Sequence, residues 1–328
     1  MKKTTVSAPG KLMLFGEHAV VYNHPCLATA VNQRMYATVE LLEEPQFQLD
    51  AKEVKIKNYK KHLSQLGKGE IPNGAKFAEI AVKNFSEKFN PKNGIKVTTT
   101  SEFSSQFGFG SSSAVTTCVI KGLSKLFDLN LNNKEIFDLS YKTVLDIQGK
   151  GSGFDIAQAL YGGTIYFETG GKIIQQLAIK NLPLIVGYSG IKGDTVSLIN
   201  NVNKKFSNNK KRLNEIYSEI EIIVKKAKQE IEKSNWKKVG ELMNQNQKYL
   251  NEIGVSTSKL DDMITAAISH GAYGAKLSGA GGGDCMIALA SADDIKSVEK
   301  AIAKAGGQII NIQPNAKGVS IENGKINI

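Results

Sequence analysis

Apolar residues recur along this chain with the two-residue period of strands in some stretches and with the 3.6-residue period of helices in others. Strands are predicted at 4–14, 28–43, 95–100, 164–168 and 183–188, and a glycine-rich strand-loop-strand at 272–290. Helices are predicted at 75–89, 111–127, 133–146, 208–252, 258–270 and 292–305. Pro9-Gly10 predicts a break in the first strand, the Lys-rich segment 50–74 predicts a loop, and Gly170-Gly171 predicts a hairpin turn.

The order of these elements predicts an α+β fold with two domains, residues 1–180 and 181–328. The chain has 328 residues, of which 41% are hydrophobic, and this length suffices for about two domains with a substantial core. No run of 18 apolar residues occurs, and Lys11, Glu17 and His18 interrupt the apolar stretch near the N-terminus. We therefore expect a cytoplasmic protein that binds no membrane.

The cysteine content argues against a disulfide framework and against a structural zinc site. Cys26, Cys118 and Cys285 are odd in number, and none has the spacing of a metal-ligand pair. Each is expected to be a small buried apolar residue.

The net charge of +11 raises the alternative of nucleic-acid binding, since basic surfaces gain affinity by releasing counterions from phosphates. Only Arg34 and Arg212 are arginines among the 42 basic residues, whereas surfaces that read bases or clamp phosphates favour the planar arginine fork. We therefore expect no nucleic-acid partner, and tight, salt-sensitive DNA binding would contradict this expectation.

A glycine- and serine-rich segment, Phe107–Ala114, runs directly into a predicted helix. Its glycines let the backbone approach an anion, and the helix start offers free N–H groups and the positive end of the helix dipole. The segment fits neither a Walker A loop nor a dinucleotide-binding fingerprint. It therefore indicates either a phosphate site or a simple helix start.

Two further segments place titratable groups beside glycines. Lys11 follows Pro9-Gly10 and precedes Gly16-Glu17-His18, so it is either a cation for a phosphoryl group or an ordinary edge-strand lysine. Asp155 follows the flexible segment 149–153, where its carboxylate could accept a hydroxyl proton. Four glycines among residues 279–283 cost backbone entropy, which indicates a close approach to a ligand or to another chain segment.

Together these segments resemble the GHMP kinases over nearly the whole chain. The motifs that carry the resemblance occur in the family's order: Pro9-Gly10-Lys11 with Gly16-Glu17-His18, Gly108-Phe109-Gly110-Ser111-Ser112, Ser152-Gly153-Phe154-Asp155, and Ser278-Gly279-Ala280-Gly281-Gly282-Gly283. The resemblance implies an N-terminal domain like that of a ribosomal protein and a ferredoxin-like C-terminal domain. It also implies ATP-dependent phosphorylation of a small-molecule alcohol with Mg²⁺ as cofactor, by an enzyme that is expected to be a homodimer.

The resemblance also implies roles for individual residues. Asp155 and Lys11 would be catalytic, and Ser112 would be a magnesium ligand. ATP would be bound by Gly108, Gly110, Ser111, Ser112 and Ser113. The acceptor would be bound by Glu17, His18, Ser152, Thr195 and Gly281.

Within the family, segments such as Phe15–Tyr22 are most similar to mevalonate kinases, which implies ATP and mevalonate as substrates. Val144 departs from that pattern, because mevalonate kinases carry a magnesium-binding Glu at this position; Asp146 is the alternative ligand. Segments 106–110, 148–155 and 283–285 are more similar to phosphomevalonate kinases. Phosphomevalonate kinase activity and a non-catalytic nucleotide-binding role on the same fold therefore remain the alternatives.

Overall fold

A computed structural model describes residues 2–179 and 181–322 of the chain. Its strands are β1 Lys3–Phe15, β2 Cys26–Leu42, β3 Gln46–Ala51, β4 Ile56–His62, β5 Gly94–Ser101, β6 Thr164–Phe167, β7 Ile174–Leu177, β8 Leu184–Tyr188, β9 Ala272–Ser278, β10 Cys285–Ala290, β11 Gln308–Ile309 and β12 Ser320–Glu322. Its helices are α1 Lys76–Phe89, α2 Ser111–Leu126, α3 Asn133–Gln148, α4 Phe154–Tyr161, α5 Thr195–Lys205, α6 Lys210–Glu232, α7 Trp236–Ile253, α8 Ser258–Ser269 and α9 Ile295–Lys304.

The strands form two sheets. The first has the order β12-β1-β2-β5-β3-β4, and β6 extends it by pairing with β2 and with β7. The second has the order β11-β8-β10-β9. All strand pairs are antiparallel except β3 and β5, which are parallel. A parallel pair requires a crossover connection, and α1 lies in the chain segment that connects these two strands. Helices α1 to α4 belong to the first sheet's half of the chain and α5 to α9 to the second's, which confirms the predicted α+β class.

The first sheet comes from residues before 180, here called the first unit, and the second sheet from residues after 180, here called the second unit. The one exception lies at the end of the described chain. The segment 311–322 returns to the first sheet, where Gln313 and Ala316 bond to the backbone near the start of β2 and β12 pairs with β1. Arg34 anchors this return, since its guanidinium donates to the carbonyl oxygens of Lys317 (2.9 Å) and Gly318 (2.8 Å). The first unit therefore includes a segment from the far end of the sequence.

Most predicted elements are confirmed, and the hairpin turn at Gly170-Gly171 joins β6 to β7. The predicted break at Pro9-Gly10 is wrong, because β1 runs through both residues and absorbs the proline by a shift in its register with β2. The predicted helix over 208–252 is two helices, which meet near Ser234 in its left-handed conformation (φ 57°).

The prediction of a loop over 50–74 is also wrong, since part of this segment forms the β3–β4 hairpin. Phe47 and Leu49 of β3 are buried. Lysines lie on the edge strand β4, where charged side chains discourage the open edge from pairing with another strand. Helices α4 and α5 were not predicted. No helix within the described residues is long and apolar enough to cross a membrane.

Candidate active site

The structure brings Lys11 and Asp155 together as an ion pair. Lys11 lies on β1 and Asp155 in the first turn of α4, with Lys11 Nζ 3.0 Å from Asp155 Oδ1. The lysine side chain is 9% exposed and the aspartate side chain 31% exposed, so the carboxylate keeps an open side toward solvent. The start of α4 favours a carboxylate because the helix dipole is positive there. This pair can take up a proton and stabilise negative charge at one place.

The glycine loop before α2 lies directly against this pair. A Cβ atom on Gly110 would lie 3.1 Å from Lys11 Cε and 3.3 Å from Asp155 Oδ1, and Gly110 has a φ of 77°. The first bond of α2 runs from the Ala114 N–H to the Gly110 carbonyl, so the N–H groups of residues 111–113 precede it. The loop therefore presents a helix N-terminus beside the Lys11–Asp155 pair, as an anion site requires.

An open cavity of about 470 Å³ borders the other side of the pair. Its polar lining comes from two predicted acceptor residues of the first unit, the ion pair, and the start of α5. Its lining residues are Lys11, Met13, Glu17, His18, Val20, Val21, Phe154, Asp155, Thr195, Ile199, Gly279 and Ala280.

Glu17 forms a fully buried ion pair with Lys276 of β9, a residue to which the sequence analysis assigned no role. Lys276 Nζ donates to Glu17 Oε1 and also to the carbonyl oxygen of Leu277 (2.6 Å). Burial raises the pKa of Glu17 and lowers that of Lys276, while the attraction between them opposes both shifts. The pair joins the two units behind the cavity. A lysine inside the apolar strand Ala272–Ser278 was the available sequence signal.

His18 lines the cavity as a neutral hydrogen-bond acceptor. Its Nε2 lies 2.8 Å from the carbonyl oxygen of Ala280, and this contact requires Nε2 to carry the proton. Its Nδ1 is buried and has no partner among the described residues. Burial lowers the pKa of His18, so the imidazole stays neutral and Nδ1 keeps its lone pair.

The remaining predicted acceptor residues differ in their distance from the cavity. Thr195 lines it at the start of α5. Ser152 lies one turn earlier than Asp155, and its hydroxyl accepts the Phe154 N–H (3.4 Å), so it shapes the start of α4. Gly281 packs against the Val255 carbonyl, while its neighbours Gly279 and Ala280 line the cavity.

A second cavity of about 570 Å³ lies on the far side of the glycine loop. It is enclosed by β3, the turn after it, the start of α1 and the start of α2. The sequence did not indicate this cavity, because the residues of the β3–β4 hairpin were expected to form a loop. Its lining residues are Met35, Leu49, Ala51, Glu53, Val54, Asn73, Gly74, Phe77, Ala78, Thr99, Ser111, Ser112 and Val115.

Known proteins resemble this chain over nearly its whole length. Residues 76–163 match the GHMP kinases N terminal domain, and residues 227–308 match GHMP kinases C terminal. Residues 2–41 match the galactokinase galactose-binding signature. The mevalonate kinase of Pyrococcus furiosus is 35% identical over 332 residues, which cover 98% of each chain, and that of Thermococcus sibiricus is 33% identical with the same coverage. The chain belongs to the GHMP kinase family.

Solved structures agree with this membership. The Methanococcus jannaschii mevalonate kinase superposes with a TM-score of 0.79 at 28% identity, covering 95% of this chain and 98% of that one. The Lin0012 protein of Listeria innocua has a TM-score of 0.88 at 24% identity, covering 98% and 100%, and shares the fold. The GHMP kinase fold is therefore confirmed, as is the activity of a small-molecule kinase with an alcohol as acceptor.

At the position on α3 where the resemblance to mevalonate kinases led us to expect a carboxylate, this GHMP kinase has Val144. Val144 is buried, and it faces Gly151. Asp146 lies on another face of α3, where it accepts from Asn84 of α1 (2.9 Å) and pairs with Lys142. Among the described residues, no group of three His, Cys, Asp or Glu side chains could hold a metal ion. The Ser112 hydroxyl and the Asp155 carboxylate place oxygen atoms in the first turns of α2 and α4.

Proposed function

We propose that this GHMP kinase transfers the γ-phosphoryl group of ATP to mevalonate, giving 5-phosphomevalonate and ADP. The observation that carries the proposal is the Lys11–Asp155 pair (3.0 Å), which lines an open cavity and lies beside the uncapped N-terminus of α2. The names of the full-length relatives support mevalonate as the acceptor.

The pair would act on the attacking hydroxyl group of the acceptor. Asp155 would orient this hydroxyl and accept its proton as the oxygen attacks the γ-phosphorus. Lys11 would offset the negative charge that develops on the transferring phosphoryl oxygens, and its short distance from Asp155 keeps both groups at the same reaction centre. Most of the acceleration would come from positioning and from electrostatic stabilisation, as is usual for phosphoryl transfer.

ATP would span the two sides of the α2 start. Its phosphates would accept from the N–H groups of residues 111–113 and its base would occupy the second cavity, where Val54 and Phe77 offer apolar contact. Mg²⁺ would be held in the manner usual for the ion, with few protein ligands (the Ser112 hydroxyl among them) and the rest from phosphates and water; when bound it would neutralise phosphate charge. Ser112→Ala should raise the KM for ATP, measured at saturating mevalonate, and leave the KM for mevalonate unchanged.

The charge of the acceptor cavity favours mevalonate over phosphomevalonate. Phosphomevalonate carries a phosphate with nearly two negative charges, which requires cations to meet it. Among the described residues that line this cavity, Lys11 is the one lysine, and none is an arginine. The neutral His18 ring and Thr195 instead suit an uncharged alcohol.

Phosphomevalonate remains the second candidate acceptor, because Gly283-Asp284-Cys285 resembles phosphomevalonate kinases. Both acceptors should be assayed side by side with ATP at the same magnesium concentration. We expect kcat/KM for mevalonate to exceed that for phosphomevalonate at least about tenfold, a gap of about 1.4 kcal/mol. A preference for phosphomevalonate would assign the enzyme to the second reaction, and hydrolysis without transfer to either acceptor would contradict both.

We also infer a homodimer in the cytoplasm. The inference of a dimer rests on the family resemblance, and sedimentation velocity would test it through the mass of the particle. The cytoplasm is supported by the three cysteines, which are all free and buried rather than paired in disulfides.

A further inference from the structure

Residues 105–110, here called the nucleotide loop, are held by side chains of the second unit. Lys192 donates to the carbonyl oxygen of Ser105. The rings of Phe107 and Tyr188 lie 5.1 Å apart, and the Cys285 thiol lies 3.3 Å from the Phe107 carbonyl oxygen. The loop that precedes α2 therefore takes its conformation from the unit that carries β8 and β10, as well as from its own sequence.

Asp284 is the buried charged residue among these contacts. Its Oδ1 accepts the backbone N–H of Gly193 (3.0 Å), in the segment that leads into α5. Its Oδ2 faces the nucleotide loop, since a Cβ atom on Gly108 would lie 2.6 Å from that oxygen. One carboxylate thus touches both the nucleotide loop and the segment 189–195, which ends at Thr195 in the acceptor cavity.

The carboxylate is unfavourable at this place for stability alone. Asp284 is only 7% exposed and adopts a left-handed backbone conformation with a φ of 54°. Burial raises the pKa of Asp284, because a charged carboxylate loses its hydration there. Strain and a buried carboxylate at one residue are typical of positions that serve function.

We propose that Asp284 is a positioning residue, which aligns the nucleotide loop with the acceptor-side segment through its contacts with Gly108 and the Gly193 N–H. The proposal deepens the proposed function, on which it rests for the assignment of phosphates to the nucleotide loop. Asp284 itself touches neither substrate. Its Oδ2 packs against Gly108 of the loop and its Oδ1 accepts the Gly193 N–H. This hydrogen bond matters more than the charge, since a bare negative charge here would repel phosphate.

Two variants at the same position separate the hydrogen bond from the charge. Asp284→Ala removes both contacts, and Asp284→Asn keeps an oxygen that can accept the Gly193 N–H. Because misplacement of reacting groups by about 1 Å can cost on the order of 10²-fold, we expect Asp284→Ala to lower kcat/KM for ATP at least about tenfold. For Asp284→Asn, kcat/KM for ATP should stay within about threefold of the native value, because this variant keeps the hydrogen bond to the Gly193 N–H.

Binding measurements provide a readout that does not depend on transfer. Calorimetry should show that Asp284→Ala binds Mg·ADP about tenfold more weakly, as expected when several N–H groups lose their alignment, whereas mevalonate affinity without nucleotide changes less than about threefold. Asp294→Ala is the matched control: Asp294 accepts from Ser291 Oγ (2.6 Å) at the start of α9, away from both cavities. It should alter thermal stability and neither affinity.

Several outcomes would overturn the proposal. Native-like kcat/KM and Mg·ADP affinity in Asp284→Ala would remove any positioning role. An Asp284→Asn variant as impaired as Asp284→Ala would assign the effect to charge. Tighter Mg·ADP binding by Asp284→Asn would mean that the carboxylate merely repels phosphate.

Two further measurements keep the test independent of folding and of the acceptor. If Asp284→Ala does not fold, Lys192→Met weakens the same junction from an exposed position, and its KM for ATP should rise with that for mevalonate unchanged; an unchanged KM for ATP would count against the proposal. If the native chain phosphorylates no mevalonate, the proposed function fails, while Mg·ADP affinity still decides whether Asp284 positions the loop.

Discussion

At the scale of single residues, the chemistry of this kinase depends on groups whose protonation is set by what surrounds them. Asp155 stays open to solvent beside Lys11, whereas Glu17 and Lys276 are enclosed and neutralise each other. His18 is held in one tautomer by a backbone carbonyl. Similar side chains thus serve as a reaction centre, a structural pair and a neutral acceptor within one site.

Replacing Asp155 by Asn should abolish proton acceptance and keep the shape of the side chain. We expect kcat to fall by on the order of 10²-fold or more, the scale typical of a general base or of charge positioning. The KM for either substrate should change little. Steady-state kinetics with mevalonate and ATP measures both, and circular dichroism verifies the fold.

Asp138→Asn is the control for this substitution, because Asp138 is exposed on α3 and pairs with the exposed Lys134. Its turnover should equal that of the native enzyme. A folded Asp155→Asn enzyme with nearly native turnover would refute the catalytic role of Asp155.

His18 should make the fold sensitive to acid. Burial lowers its pKa in the folded state, so below the usual value of about 6.5 the unfolded chain binds a proton that the folded chain does not. The stability contributed by neutral His18 is therefore present above that pH and is lost as the pH falls toward the folded-state pKa. Urea unfolding between about pH 5 and 7.5 should show a shallower pH dependence for His18→Asn. An unchanged slope would contradict this assignment.

At the scale of elements, local signals define where the helices of the site begin. Asn132 and Glu135 form a reciprocal capping box at the start of α3, and Asp194 accepts two N–H groups at the start of α5. Helix α2 begins at Gly110 without a side-chain cap, which leaves its N–H groups for a ligand. Helix α4 also begins without a side-chain cap, at Gly153. Of these two uncapped starts, that of α2 is the one assigned to ATP.

Removing the capping box should affect stability alone. Asn132→Ala leaves the Glu135 N–H without its partner, and we expect a loss of about 1 kcal/mol in the free energy of unfolding. The kinetic constants should remain native because α3 contributes no lining residue to either cavity. Chemical denaturation together with kinetics checks both statements, and a raised KM for ATP would contradict the separation.

At the scale of the whole molecule, the end of the chain completes the first unit through Arg34. This guanidinium donates to Lys317 and Gly318 and also to Ser7 on β1, so it joins segments that are about 300 residues apart in sequence. The other arginine, Arg212, pairs with Glu252 on the surface. The two arginines therefore provide a matched comparison.

Lysine cannot reproduce the arginine fork at a site with several carbonyl acceptors. Arg34→Lys should lower the free energy of unfolding by about 2 kcal/mol, because hydrogen bonds from a charged donor are lost. Arg212→Lys should cost less than about 1 kcal/mol, as exposed ion pairs contribute little. Urea denaturation of both variants tests this, and equal costs would refute the anchoring role of Arg34.

The sequence by itself determined most elements and the α+β class, because periodicity and glycine placement are local properties. The candidate residues Lys11, Asp155, His18 and Thr195 came from the motifs and the family resemblance, and their roles stay predictions. The tertiary structure alone decided which of these residues meet. No local pattern encodes the contacts between residues that are distant in sequence. Such contacts give Glu17 its partner Lys276, form the second cavity and surround Asp284. The β3–β4 hairpin was likewise hidden, since strand pairing and burial, rather than the Lys-rich composition of the segment, decide its structure.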